Sequence, residues 1–219
     1  EGADIVLNYL PEEESDAQEV KRVIESTGRK IKLIPGDLKD EKFNKELVEK
    51  AADFLGSLDV LVLVAGKQQA QTDISKLTTE QLIDTYTTNV FSLIWLVKAA
   101  LPYMNPGSSI ITTNSIQASQ PSSFLVDYAG TKAAIKNMTV SLSKQLSPKG
   151  IRVNSVAPGP IWTPLQVSGG QLQENIPKFG SETSVGRAGQ PAELAGAYVF
   201  LASKDASYIT GESLNVNGG

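Results

Sequence analysis

Residues 58–66 read LDVLVLVAG. From Val60 to Val64 the apolar side chains follow one another with no polar alternation. A strand with one wet face alternates apolar and polar residues. An unbroken run fits a strand covered on both faces, as in a parallel sheet with helices on each side. The run is far too short to span a bilayer, which takes about 20 helical residues. Ala65-Gly66 then closes it with a turn.

Outward from this strand, short apolar runs alternate with longer amphipathic ones. IVLNY (5–9), KIKLIPGD (30–37), SSIITTNS (108–115), IRVNSVAPG (151–159) and GESLNVNGG (211–219) read as strands. Residues 11–27, 39–56, 78–104, 124–147 and 191–203 read as helices. Their ends carry terminus signals. Acidic residues crowd the start of 11–27, Pro11 sits in the first turn and Gly28 follows the end. Thr78 or Thr79 caps 78–104, and Pro148 and Gly150 stop 124–147. Glu1-Gly2 resembles a helix C-terminus with its glycine cap. Repeated strand–helix alternation predicts an α/β fold, a doubly wound parallel sheet with helices on both faces. In such sheets ligands bind at the carboxyl ends of the strands. No repeat or linker divides the chain, so residues 1–219 read as one domain. The polar, Gly-rich stretch 160–189 has no clear period and reads as a lid over a substrate site, with a flexible surface excursion as the alternative. Gly169 and Gly170 would let it hinge.

Composition narrows the chemistry. The 219 residues contain no Cys and no His, and the net charge is −4. Disulfides, thiolate nucleophiles and Ser-His-Asp triads are therefore excluded, and no metal site is expected. Proton transfer falls to Tyr, Lys, Asp or Glu. The acidic balance argues against binding to nucleic acid or anionic membrane. The acidic run 11–16 reads as a solvated helix start, not a metal site. With no basic-then-apolar opening stretch, a soluble, cytoplasmic protein is expected.

YAGTK (128–132) is the natural place to look for an acid or base. Tyr128 and Lys132 stand four residues apart on a predicted helix and share a face. A free tyrosine titrates near pH 10, about 4 kcal/mol from serving as a base at neutral pH, and a nearby ammonium narrows that gap. Ala129, Gly130 and Thr131 leave room for a ligand near the backbone. Such a pair also arises by chance on exposed helices. Its neighbours add weight. Ser115 ends the preceding strand, Asn89 sits unusually inside a helix, and LVAG (63–66) and PGPIWT (158–163) close two further strands at the same rim.

Ser, YxxxK, Asn, a strand-end Asp, Ala-Gly and Pro-Gly in this order resemble the short-chain dehydrogenase/reductase family along the whole chain. The resemblance implies a Rossmann-type fold that moves hydride between a nicotinamide cofactor and a carbonyl or alcohol. It makes Tyr128 the general acid/base. Lys132 tunes Tyr128 and holds the nicotinamide ribose, Ser115 binds the substrate oxygen, and Asn89 supports a water-linked relay. Asp37 and Leu38 match the adenine site, and Ala65 and Gly66 the turn beside the cofactor. Pro158, Gly159, Ile161 and Thr163 match the segment holding the carboxamide and diphosphate.

NYLPEEESDA, LVAGKQQ, TTNSIQA and APGPIWTPLQ are similar to an aldehyde-reductase and general-stress branch near glucose dehydrogenases. A sugar dehydrogenase, a 3-oxoacyl reductase and a catalytically silent NAD(P)-binding regulator stand as alternatives. The family's opening glycine-rich turn is not matched. The first strand, that turn and most of the first helix are expected to be missing, leaving folding and cofactor binding incomplete. Leu63 and Val64 replace the family's paired asparagines. At the end of the second family strand stand Asn8 and Tyr9, not a carboxylate, which permits NADP(H); NAD(H) stays possible because no arginine follows and Glu12 to Glu14 are close. Trp95 reads as core or subunit-interface packing, Arg187 and Gln190 as structural. The resemblance also implies a homodimer or homotetramer paired through the helices at 78–104 and 124–147.

Overall fold

A computed structural model describes residues 2–219. Glu1 lies outside the described residues; Gly2 has the positive φ, 91°, expected of a cap glycine. The strands are β1 (Ile5–Tyr9), β2 (Ile31–Pro35), β3 (Val60–Leu63), β4 (Ser109–Thr113), β5 (Arg152–Pro158) and β6 (Ser213–Val216). The helices are α1 (Glu14–Ser26), α2 (Glu41–Leu55), α3 (Thr79–Tyr86), α4 (Ser92–Ala100), α5 (Val126–Leu146) and α6 (Pro191–Ala202). Thr78 caps α3 by accepting from the Gln81 N–H. Gly150, at φ 73°, closes the turn that ends α5.

All strand pairings are parallel, as predicted for an α/β fold. The predicted single sheet is divided, however. β1 pairs with β2, and β3-β4-β5-β6 form a second sheet. Among the described residues, β1 and β3 each have one strand neighbour. This corrects the reading of LDVLVLVAG. Leu61 and Leu63 pack on the core, but Val60, Val62 and Val64 are 40%, 44% and 56% exposed. Side chains alternate across a strand, and at β3 only one face is covered.

The central strands do have two buried faces. Ile110 and Ile111 are consecutive and both fully buried, so they enter different cores. Ile110 and Val153 join the core made with α2, α4 and α5. Ile111 and Val156 pack against Leu201 of α6 and Ala206.

The predicted long helix 78–104 is interrupted. A π-helical turn at Thr87–Phe91 separates α3 from α4, and a short 3-10 turn containing Pro102 follows α4. An extra residue in a turn re-aims the side chains it carries; here it carries Asn89. The stretch 160–189 holds a π-like turn at Gln166–Gly170 and a 3-10 segment at Gln173–Lys178. Its ends are fastened together. Gly189 N–H donates to Pro160 O at 2.9 Å and Trp162 N–H to Gly189 O at 2.9 Å. Gly169 has φ 114°, whereas Gly170 is buried. Trp95 is half-buried against Phe91.

Candidate active site

The carboxyl ends of β3, β4 and β5 and the first turns of α5 border a cavity of about 400 Å³. Gly66, Ser115, Tyr128, Lys132, Pro158, Gly159, Ile161 and Thr163 all reach it. Ser115 lies two residues past the end of β4 and has an extended backbone, φ −168°. Its Oγ accepts from the Gln117 N–H at 3.2 Å, and it shares the cavity wall with Tyr128. One helical turn beyond Tyr128, Lys132 Nζ lies 5.4 Å from the phenol ring centroid and donates to Thr113 O at 2.9 Å.

Burial governs both titrations. It pushes the Tyr128 phenol up to about 12, against a smaller downward pull from Ser115. It pushes the Lys132 amine down to about 8. The sequence reading has the Lys132 ammonium lowering the tyrosine; burial is the largest influence on each group here. A desolvated phenol keeps its proton, and a desolvated amine favours the neutral form.

The small residues between the pair also serve differently from the expectation. A Cβ on Gly130 would stand 2.9 Å from the Tyr86 hydroxyl, so Gly130 makes room for α3. Thr131 is fully buried and donates to Tyr128 O at 2.6 Å. Gly66, in the cavity wall, packs against Lys132 and Asn89. A Cβ there would meet Lys132 Nζ at 3.4 Å and Asn89 Oδ1 at 3.8 Å.

Asn89 is buried beside the cavity without bordering it. Its Oδ1 accepts from the Lys67 N–H at 2.7 Å, and its Nδ2 donates to Lys67 O at 2.9 Å and Thr131 Oγ1 at 3.0 Å. It therefore fastens the turn after Gly66 to α5.

Asn8, Tyr9, Asp37, Leu38 and Ala65 are not in the cavity wall. Asn8 Nδ2 donates to Ile34 O and Gly36 O, both at 3.0 Å. Tyr9 donates to the Glu14 carboxylate. Asp37 accepts from the Lys39 N–H at 2.9 Å, and Leu38 O accepts from Asn44 Nδ2 at 2.7 Å. Asn8, Tyr9, Asp37 and Leu38 are thereby engaged at the β1–β2 rim. Among the described residues, no group of three or more Asp or Glu is placed to hold a metal ion, and no helix is long and apolar enough to cross a membrane.

Sequence reasoning misses Asp127. Buried next to Tyr128, it accepts from Thr85 Oγ1 at 2.8 Å and Gln81 Nε2 at 3.1 Å, docking α3 on α5. No local pattern announces a partner 42 residues away. Gln68 and Gln166, both buried in the cavity wall, are missed for the same reason.

A family model described as enoyl-(acyl carrier protein) reductase matches residues 1–219. The chain is 61% identical over 222 residues to the oxidoreductase YhxD of Bacillus subtilis, covering 100% of this chain and 74% of that one. A solved short-chain dehydrogenase/reductase of Brucella melitensis, titled glucose/ribitol dehydrogenase, matches with a TM-score of 0.88 at 34% identity. The match covers 99% of this chain and 86% of that one.

The chain is a short-chain dehydrogenase/reductase.

Other relatives of this short-chain dehydrogenase/reductase carry cofactor names. NADPH-dependent aldehyde reductase 1 of Arabidopsis thaliana is 43% identical over 225 residues, covering 100% of this chain and 78% of that one. A blue fluorescent protein from a metagenomic library, solved with NADPH, matches with a TM-score of 0.91 at 32% identity, covering 100% of this chain and 87% of that one. The cavity of this short-chain dehydrogenase/reductase runs inward to the ends of β3, β4 and β5. Gly66, the Lys132 amine and Pro158, Gly159, Ile161 and Thr163 border that end of it.

Proposed function

We propose that this protein is an NADP(H)-dependent carbonyl reductase that converts aldehydes or ketones to alcohols, and the reverse. The observation that carries the reading is the meeting of Ser115, Tyr128 and Lys132 in one cavity, with the phenol held protonated. Bound NADP(H) supplies or accepts the hydride. Ser115 and Tyr128 hold the substrate oxygen by hydrogen bonds. Tyr128 gives that oxygen its proton as the carbonyl carbon gains hydride, and solvent restores the proton. Lys132, with Gly66 beside it, holds the nicotinamide ribose, and Pro158, Gly159, Ile161 and Thr163 hold the carboxamide and diphosphate. Asp37, Leu38 and Ala65 line the adenine side, with Asn8 and Tyr9 at the ribose 2′ position. Asn89 acts as a positioning residue by fixing the Gly66–Lys67 turn. Residues 160–189 form a lid, and buried Leu125 with Phe179 keeps water from the reacting carbon.

NADP(H) is favoured because neither Asn8 nor Tyr9 places a carboxylate against a 2′-phosphate. Two relatives named with NADPH point the same way. Mixing the protein with a panel of aldehydes and ketones should consume the reduced-nicotinamide absorbance. Its kcat/KM with NADPH should exceed that with NADH by about tenfold, the effect expected of one specific contact. Absence of turnover with every carbonyl refutes the reductase; a preference for NADH refutes the cofactor choice.

The same reading includes assembly. Phe91, Val126 and Val140 leave apolar surface exposed on and beside α4 and α5. We assign this surface to a homodimer or homotetramer interface. A stable monomer in sedimentation would refute that.

A further inference from the structure

β2 and β3 belong to different sheets, so no strand ladder joins their carboxyl ends. Each end leads into a turn. Asp37, Leu38 and Lys39 come after β2, and Ala65, Gly66 and Lys67 come after β3. Asp84, on α3, reaches both turns at once. Its Oδ1 accepts from Lys39 Nζ at 2.8 Å, and its Oδ2 accepts from Lys67 Nζ.

Both lysines are also anchored by their backbones. The Lys39 N–H donates to Asp37 Oδ1 at 2.9 Å, and Lys39 Nζ lies 3.4 Å from Asp37 Oδ2. Lys67 is held through its N–H and its carbonyl by Asn89. Asn89 in turn donates to Thr131 Oγ1, which donates to Tyr128 O at 2.6 Å. One carboxylate therefore ties the turn after β2 to the turn after β3, and through Asn89 to the helix that carries Tyr128.

Lys39 and then Lys67 hold the Asp84 carboxyl below the usual carboxylate value. Asp84 is half-buried, whereas the lysine side chains are 41% and 40% exposed. Ion pairs this wet add little to folding stability. What they supply is geometry: two pairs on one carboxylate fix the spacing of two turns that no shared ladder fixes. Both amines are spent on Asp84, which leaves neither free to serve as a ligand.

We propose that Asp84 is a positioning residue for the adenosine half of the cofactor. It clamps the Asp37–Leu38 turn to the Ala65–Gly66 turn, so the two walls of the adenine site stand at their working separation before the ligand arrives. The inference rests on the NADP(H) reading above, which puts Asp37, Leu38 and Ala65 at the adenine. Walls ordered in advance spare the ligand the cost of ordering them.

Adenosine 2′,5′-bisphosphate carries the adenosine end of NADP without the nicotinamide. Asp84→Asn keeps the side-chain shape and leaves one carbonyl oxygen, which serves one lysine and not both. Calorimetry should show adenosine 2′,5′-bisphosphate binding weakened by about fivefold, the worth of two partly exposed ion pairs. The sign is diagnostic. The substitution also deletes a negative charge beside two lysines, and charge alone would tighten a phosphate ligand. In turnover, Asp84→Asn should raise KM for NADPH more than it lowers kcat. Lys67→Met cuts the same link from the β3 side, and combining it with Asp84→Asn should add little further loss, as for residues in one network. Wild-type or tighter binding of the bisphosphate by Asp84→Asn overturns the clamp, whatever happens to Tm. Fully additive losses in the double variant overturn it as well. Should Asp84→Asn fail to fold, wild-type binding by Lys67→Met overturns it. The binding assay needs no carbonyl, so failure to reduce any carbonyl refutes the reductase and leaves the clamp standing on its own result. A wild type that does not bind the bisphosphate refutes the adenosine site and the role of Asp84 with it.

Discussion

Tyr128→Phe should lower kcat for carbonyl reduction by about a thousandfold or more while NADPH binding changes by only a few-fold. The substitution keeps the ring and its packing and removes one oxygen. That oxygen is the acid: burial pushes its titration up to about 12 and so holds its proton. General acid catalysis is worth about 10²–10⁴ in rate, and the phenol also orients the substrate oxygen. Cofactor affinity should survive because Lys132, Gly66 and the Pro158–Thr163 segment are untouched. Nicotinamide fluorescence titration measures binding and single-turnover assays measure chemistry. Turnover near the wild-type rate would remove Tyr128 from the mechanism.

Lys132→Met should nearly abolish turnover and yet stabilise the fold. Lys132 is buried, and its amine titrates at about 8 instead of 10.5. Between those values the unfolded chain binds the extra proton and the folded one does not. Stability therefore rises with pH from about 8 to about 10.5, and below 8 the buried ammonium costs about 3 kcal/mol. Tyr128 acts in the opposite sense at higher pH. Its folded value near 12 exceeds the ordinary 10, so its contribution falls between them. Methionine removes the ammonium cost and leaves Thr113 O without the Lys132 donor, an offset of about 1 kcal/mol. The net gain of about 2 kcal/mol near neutral pH should raise Tm by roughly 4–8 °C in a chain this long. The wild type should gain stability from pH 8 to 10 and the variant should not. Parallel pH profiles for the two proteins would show that Lys132 is not under this strain. Stabilisation by Lys132→Met would fit the general pattern in which functional groups are held at the expense of stability.

Much of this was legible in the chain. The alternation of runs predicts a parallel α/β fold, and every observed strand pairing is parallel. Ser115, Tyr128 and Lys132 follow from strand ends and helical spacing, and all three border the cavity. Elsewhere local patterns mislead. LDVLVLVAG has the composition of a doubly covered strand, but coverage depends on what packs against it. β3 has a strand on one side, and its valines face outward. The helix at 78–104 has no sequence marker for its π-helical turn, which is set by Asn89 reaching Lys67 and Thr131. Gly130 looks like room for a ligand and is room for Tyr86.

The sequence by itself determined that Tyr128 and Lys132 share a helix face, because i,i+4 spacing is local geometry. It also determined that no histidine or cysteine competes with them. Only the tertiary structure decided their charge states, since desolvation depends on everything packed around them. Tertiary structure also decided which amides stay unpaired. Gln68 finds its acceptor 102 residues away, at Gly170, while Gln166 Oε1 finds none. Hydrogen-bond satisfaction is an account kept over the whole fold, and no window of sequence contains it.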